Sequence, residues 1–241
     1  MKKANNCILY GLAALLVLSA ASCSTTKTVP EFDALYTGAE VKIIQTEVSS
    51  KQKKAIRSTL KDITRPQPNS KILGMPFKLW IYNLGGEKGI GKWLRRKYGE
   101  APVLLSELSV DRNIEIIDNY MENRGFFQVA VEGDTVGNGK KASALYKVAT
   151  GPEYKIRSIA FPADSSALSH AVRATQSKTL LRPGAPFNLD LLKGERTRID
   201  LELKEKGFYF FSGEYLLFET DTTIGNHEVN LYMQVKRETP A

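Results

Sequence analysis

The sequence predicts an α+β protein of two tandem modules, each running strand, helix, helix, strand, strand, behind an N-terminal signal. Three observations lead there. Ile117-Asp118 through Gly125-Phe126-Phe127 and Ile199-Asp200 through Gly207-Phe208-Tyr209 align at a constant offset of 82 residues, with Ile, Asp, Gly and the first Phe identical. Apolar residues ahead of each glycine recur at helical spacing, and those behind it alternate as in a half-buried strand. The only long apolar run lies at the extreme N-terminus, which excludes a polytopic helical membrane protein. With 42% hydrophobic and 25% charged residues over 241 positions, the chain is an ordinary globular one, sized for one large domain or two small ones. Its net charge of +8 describes a basic surface, not a fold.

Lys2 and Lys3 precede the apolar run Ile8 to Leu18, about half the ~20 residues that span hydrocarbon, and small residues Ser19 to Ser22 follow. Residues 1–22 therefore read as a secretory signal peptide. The small residues lead into Cys23 and resemble the lipobox of bacterial lipoproteins, which implies that Cys23 is acylated and becomes the mature N-terminus. Three residues before the cysteine stands Ala20, where that motif usually has Leu, and ordinary cleavage near Ser22 is the alternative. Cys7 leaves with the signal, so the mature chain has no second cysteine and no internal disulfide. Residues 23–33 form a lipid-anchored polar tether.

The first module takes residues 34–152 and the second 153–241. In the second, strand Tyr154 to Phe161 and helix Ser165 to Gln176 are followed by a helix capped by Asn188. Leu192, Ile199 and Leu203 share its buried face, Lys204 and Lys206 occupy its last turn, and Gly207 takes the left-handed position after it. Strand Phe210 to Glu219 then pairs, across Asp221 to Asn226, with the strand in which Val229, Leu231, Met233 and Val235 point one way. In the first module the strand is Ala39 to Thr46 and the helix Ser50 to Ile63. A second helix, capped by Ser109 or Asp111, buries Ile114, Ile117 and Met121 and stops at Gly125. Phe127 to Val131 pairs with Leu145 to Thr150 across Gly133 to Lys140.

An insertion at about 65–108 separates the two helices of the first module. Pro66, Pro68 and Pro76 interrupt regular structure, and Trp80, Tyr82 and Trp93 are interleaved with Lys92, Arg95, Arg96 and Lys97. Trp80, Trp93, Arg95 and Arg96 make a candidate interface patch, for a membrane boundary or a stacked partner. A loop folded back with its tryptophans as a satellite core is the alternative.

Little in the chain speaks for catalysis. His170 and His227 are far apart and in different elements, whereas a zinc site needs three or four ligands. Gly86-x-x-x-x-Gly91-Lys92 imitates a phosphate-binding loop, but Trp93 stands where Ser or Thr must ligate magnesium. The acid pairs Glu31/Asp33 and Glu195/Asp200 read as tether and solvated helix surface, and there is no nucleophile elbow.

The element order, the recurring helix-Gly-aromatic-strand junction and the Gly151-Pro152-x-Tyr154 opening of the second module resemble POTRA domains, the periplasmic modules of outer-membrane assembly factors of the BamA/TamA type. The resemblance covers Leu35 to roughly Thr239. Cys23, the Leu35-Tyr36-x-Gly38 opening and the insertion are similar to the TamA-like lipoprotein branch. The resemblance implies a three-stranded sheet with two helices on one face per module, and a periplasmic, membrane-tethered scaffold of outer-membrane protein assembly or translocation. It implies neither catalysis nor a cofactor. The partners implied are unfolded or extended envelope polypeptides, held by β-augmentation at edge strands, and outer-membrane barrel or assembly subunits; nucleic acid is not among them. The strands after the two glycines give Phe127, Gln128, Val129, Phe210, Phe211 and Ser212 as the client-binding edges. The expected location is the outer membrane, with the lipid anchor at Cys23 and the body facing the periplasm. Only Arg237 to Ala241 follow the last strand, so the family's transmembrane barrel is expected to be absent. A glycan- or peptidoglycan-binding lipoprotein, using Trp80, Trp93 and the ten tyrosines, is the alternative function.

Overall fold

A computed structural model of the chain describes residues 25–44, 48–86 and 88–236. The signal peptide, Cys7, Cys23, Ser24 and the tail from Arg237 lie outside the described residues. In chain order the elements are β1 (Leu35–Ile43), α1 (Ser50–Ile63), α2 (Phe77–Leu84), α3 (Gly89–Tyr98), α4 (Val110–Glu122), β2 (Ala130–Asn138), β3 (Lys141–Ala149), β4 (Lys155–Ala160), α5 (Ala167–Arg173), α6 (Leu189–Glu205), β5 (Leu216–Asp221) and β6 (Glu228–Val235). They build two three-stranded sheets, ordered β1-β3-β2 and β4-β6-β5. This is the expected α+β architecture, with strand, helix, helix, strand, strand in each half once the α2–α3 insertion is set aside.

The described chain divides into two compact units. One comprises the residues up to Lys42 with Arg57–Ile114 and Glu132–Tyr146; the other comprises Ile43–Ile56, Glu115–Val131 and the residues from Lys147 onward. In the second unit β6 is the central strand, parallel to β4 and antiparallel to β5. Its alternation buries Val229, Leu231 and Met233 and exposes Tyr232 and Gln234, as a one-sided sheet requires. Val172 of α5 and Ile199 and Leu203 of α6 close over Met233 and Leu216, while Leu192 of α6 joins Tyr154, Ile156, Val229 and Leu231. Asn188 caps α6 by accepting a hydrogen bond from the Asp190 amide, 2.9 Å.

Both repeat glycines end their helices with a positive φ, +85° at Gly125 and +95° at Gly207. The 82-residue offset extends to the backbone bonds around them. The amide of Phe126 donates to Met121 O and that of Phe208 to Leu203 O, while Gly125 donates to Glu122 O and Gly207 to Lys204 O. These are Schellman caps, satisfying carbonyls that the helix end leaves open. The next bonds match as well: Val129 donates to Phe126 O and Phe211 to Phe208 O. That extra turn is why the strands start later than the alternation predicts, at Ala130 and Leu216 instead of Phe127 and Phe210.

The offset also measures the insertion. Val103 O accepts from the Tyr36 amide and Ala185 O from the Ile156 amide, so the segments ahead of α4 and α6 both lie along the edge of the first strand in their sheet. Leu105 donates to Ala34 O, and its counterpart 82 residues on, Phe187, donates to Tyr154 O. The two acceptors are 120 residues apart, leaving 38 extra residues between the first strand and this segment in the first module. Those residues are not a loop. Pro76 opens α2 and Gly99 follows α3, so most of the insertion is a helical hairpin.

In the first unit Tyr146 of β3 and Tyr36 of β1 are both buried. The Tyr146 hydroxyl accepts from Asn113 Nδ2 of α4 at 2.9 Å, whereas Tyr36 Oη has no hydrogen-bond partner among the described residues. Burial, with Tyr146 nearby as the smaller cause, pushes the Tyr36 hydroxyl up to about 12. An unpaired buried hydroxyl is a cost, and a paired one is a gain whose loss strands its partner. Tyr36→Phe should leave the urea midpoint unchanged or raise it, whereas Tyr146→Phe should cost about 1–2 kcal/mol; the reverse order would mean that Tyr36 has a partner.

Candidate functional site: sheet edges and an inserted helical hairpin

The strand orders make β2 and β5 the outer strands of their sheets. On the opposite edges, β1 and β4 are covered at their starts by the segments ahead of α4 and α6, through the antiparallel bridges Leu35–Leu104 and Lys155–Pro186. The edge-strand residues chosen from the sequence lie just ahead of these outer strands. Phe127 stacks edge-on against Tyr154, 5.1 Å between centroids, and packs on Phe187, while Gln128 Nε2 donates to the Tyr154 hydroxyl at 3.0 Å. Val129 closes the turn. Phe211 is buried in the core beside Tyr215, Phe210 is 96% exposed, and Ser212 caps a short 3-10 turn, Gly213–Tyr215. The outer-edge backbone thus belongs to Ala130–Asn138 and Leu216–Asp221.

On β5 the ladder fixes which amides point outward. Lys236 donates to Tyr215 O across the pair that continues the Leu216–Val235, Leu217–Gln234 register. Hydrogen-bonded and non-bonded pairs alternate in an antiparallel ladder, so the amides of Leu216, Phe218 and Thr220 face away from β6. Of these three residues Thr220 is exposed. On β2 most side chains are exposed, and Gly133 is needed on the inner side, where an added Cβ would stand 2.6 Å from Val110 Cγ1 and 3.0 Å from the Tyr146 ring.

Two buried asparagines hold the insertion at its ends. Asn113 Oδ1 accepts from the Arg65 amide, 2.8 Å, and its Nδ2 donates to Arg65 O, 2.6 Å. Asn69 Nδ2 donates to Ala101 O, 2.7 Å, and to Glu100, while its Oδ1 accepts from the Val103 amide, 3.0 Å. Burial would raise the Glu100 carboxyl, but hydrogen bonds from Ser70 and Asn69, with Lys78 nearby, hold it below the ordinary range. Between these clamps α2 and α3 pack closely through glycine. A Cβ on Gly85 would stand 2.6 Å from Arg95 Cβ, and one on Gly99 3.0 Å from Tyr82 Cα. Arg95 lies over the Tyr82 ring at 3.9 Å, so one of the candidate patch cations is a packing residue.

Trp80 and Trp93 do not form one platform. Trp80, half-buried and edge-on to Phe77, lines an apolar cleft of about 460 Å³ with Leu35, Pro68, Met75 and Leu79. Trp93 lies on the outer side of α3 with Lys97 over its ring at 5.1 Å, beside Lys92 and Arg96. Residues 25–33, a free tether by composition, pack in place: Val29 is buried with Leu35 and Leu79, and Thr28 Oγ1 donates to Asn83 at 2.5 Å. Asp33 accepts from Ser106 Oγ at 2.7 Å.

The acid pair Glu195/Asp200 is not a solvated surface. Glu195 is wholly buried, with Arg198 gripping both carboxylate oxygens at 2.6 and 2.9 Å and the Leu180 amide at 2.9 Å. Burial alone would raise its carboxyl, yet these hydrogen bonds hold it below the ordinary value. Asp200 pairs with Lys204, 2.9 Å. His170 and His227 are both exposed, and among the described residues no three His, Cys, Asp or Glu side chains gather as a metal site.

No protein-family model and no curated protein matches the sequence. Among solved structures the chain is similar to POTRA1-2 of the periplasmic domain of Omp85 from Anabaena, at 13% identity and a TM-score of 0.36, over 85% of this chain and 96% of that one. It is also similar to POTRA3-5 of BamA from Haemophilus influenzae, at 17% identity and a TM-score of 0.33, over 87% and 100%. A third is the N-terminal domain of Omp85 from Thermosynechococcus elongatus, at 13% identity and a TM-score of 0.26, over 88% and 100%.

Proposed function

We propose that this chain is a periplasmic scaffold of the outer-membrane protein assembly or translocation machinery, tethered by lipid at Cys23 and holding extended envelope polypeptides by β-augmentation. One observation carries the reading: each sheet has one edge closed at its start by a local segment and the other ending in an outer strand, β2 or β5. An incoming strand satisfies the outward backbone groups of such an edge with little dependence on its side chains, which suits clients that share alternation but not sequence. The client contact moves accordingly from Phe127–Val129 and Phe210–Ser212 onto β2 and β5. The modules are non-catalytic in this reading, and an outer-membrane barrel or assembly subunits are what they work with.

Thr220 gives the test. Its amide faces away from β6, so proline there removes an outward donor and leaves the internal ladder intact. Thr220→Pro should abolish photo-crosslinking of an alternating apolar peptide to β5 while circular dichroism stays native; undiminished crosslinking would reject the edge as the site. Fatty-acid labelling of the full chain should disappear in Cys23→Ala, and label that persists there would reject the anchor.

A further inference from the structure

We propose that the outer face of α3 docks on an anionic phospholipid bilayer surface, with Trp93 and Ile90 entering the interface and Lys92, Arg96 and Lys97 meeting headgroup phosphates. The docking face follows from helical spacing. Ile90, Trp93 and Lys97 stand at i, i+3 and i+7, with Lys92 and Arg96 one turn apart beside them, while Gly91 turns inward against Gly85 and Gly86 and Arg95 against Tyr82 of α2. Nothing in α3 is buried, and Ile90 and Trp93 are 82% and 52% exposed. Large apolar side chains held out among cations are the arrangement of an interfacial helix, in which the rings sit at headgroup level and the cations beside phosphate.

Charge selects the occupant. Residues 71–98 hold seven cations and one acid, so most of the net +8 of the chain is gathered in this insertion. Among the described residues no acidic side chain pairs with Lys92, Arg96 or Lys97. A negatively charged lipid surface offers many phosphates at once and hydrocarbon beneath them, matching both halves of the face.

The start of the described chain agrees with this. Thr25 lines the cleft beside α2, and Thr28 is bonded to Asn83 of the same helix. Cys23 is two residues upstream, a span of at most ~7 Å. If Cys23 is acylated, as the proposed function holds, its lipid favours contact of this unit with the same bilayer; only this step rests on that reading.

The experiment uses the full chain carrying Trp80→Phe, which leaves Trp93 as its single tryptophan. The probes are vesicles of phosphatidylcholine with phosphatidylglycerol, and of phosphatidylcholine alone, both with brominated acyl chains. Trp93 emission should shift to the blue and be quenched on the anionic vesicles, weakly on the neutral ones, and less as salt rises. Lys92→Glu with Arg96→Glu should weaken this quenching titration by at least roughly thirtyfold, two surface cations being removed and two repelled carboxylates added. Unquenched Trp93 on chain that sediments with the vesicles, quenching equal on both lipids, or a titration unmoved by the charge reversals would each overturn the proposal. So would a Trp93 response to soluble peptidoglycan fragments without one to lipid, which would assign the face to a glycan. Absence of fatty-acid label at Cys23 would remove the anchor but leave Trp93 quenching in place, so the two readings fail separately.

Discussion

Arg198→Ala is expected to destabilise the second unit by about 3 kcal/mol or more, since removing one partner of a buried pair leaves an uncompensated charge. Glu195 sits on the buried stripe of α6, three residues after Leu192 and four before Ile199, and is fully buried. Its carboxylate is satisfied by the two-pronged grip of Arg198 and by the Leu180 amide. Arg198 also reaches Glu202 at 3.0 Å, which Lys178 and Lys206 approach from the other side. In the parent chain the Glu195 carboxyl lies below 4.5, so its contribution is complete above that value and is lost as pH falls through the lower folded-state value. Without Arg198 burial dominates and the carboxyl rises. Acidification then neutralises the stranded charge, so the gap between Arg198→Ala and the parent should begin to narrow above 4.5, as pH falls through the raised value, and narrow further below 4.5 as the parent loses its own contribution. Urea titrations at neutral and acidic pH check both points. A loss below about 0.5 kcal/mol, or a gap that widens on acidification, would mean that the pair is effectively solvated.

Glu195 also marks the limit of sequence reading. Its place on the apolar stripe, with an arginine one turn on, was a visible signal of a buried pair, but a charged residue in a helix is most often at the surface. The fold itself was legible because its determinants are local: two glycines that must adopt positive φ, alternation along β6 and apolar spacing in α4 and α6. Asn113 and Asn69 were not legible. Each looks like any polar residue, and its role depends on backbone brought near from 48 and 32 positions away, Arg65 and Ala101. The late start of β2 and β5 was hidden for a different reason. Aromatic residues after a helix suit either a strand or a turn packed on the core, and the Schellman caps followed by one more turn decide for the latter. In the insertion the prolines speak only for breaks in regular structure, and Pro76 stands directly ahead of α2; the eight residues from Phe77 and the ten from Gly89 are helices because α2 and α3 can approach through Gly85, Gly91 and Gly99.

Gly125→Ala is expected to cost about 3 kcal/mol or more, against about 1–2 kcal/mol for Gly207→Ala, although the two glycines are equivalent in the repeat. Both hold a left-handed backbone, φ +85° and +95°, and both close a Schellman cap, so the conformational part of the cost is shared. Their surroundings differ. A Cβ on Gly207 meets nothing within 4 Å, whereas one on Gly125 stands 3.1 Å from Phe187 Cβ, 3.1 Å from Phe187 O and 3.2 Å from Tyr154 O. Two of these atoms are backbone, and that backbone is fixed: Tyr154 donates to Gly125 O and Phe187 donates to Tyr154 O, each at 2.9 Å. It cannot retreat without breaking the bonds that seat the start of β4. Asparagine separates the two contributions, because it tolerates positive φ but still carries a Cβ. Gly207→Asn should regain most of the stability lost in Gly207→Ala, while Gly125→Asn should remain as damaging as Gly125→Ala. Melting curves of the four variants, followed by near-ultraviolet circular dichroism of the packed aromatics, measure the difference. Equal losses at the two positions would show that the close approach around Gly125 is absent in solution and that backbone conformation alone sets the requirement for glycine.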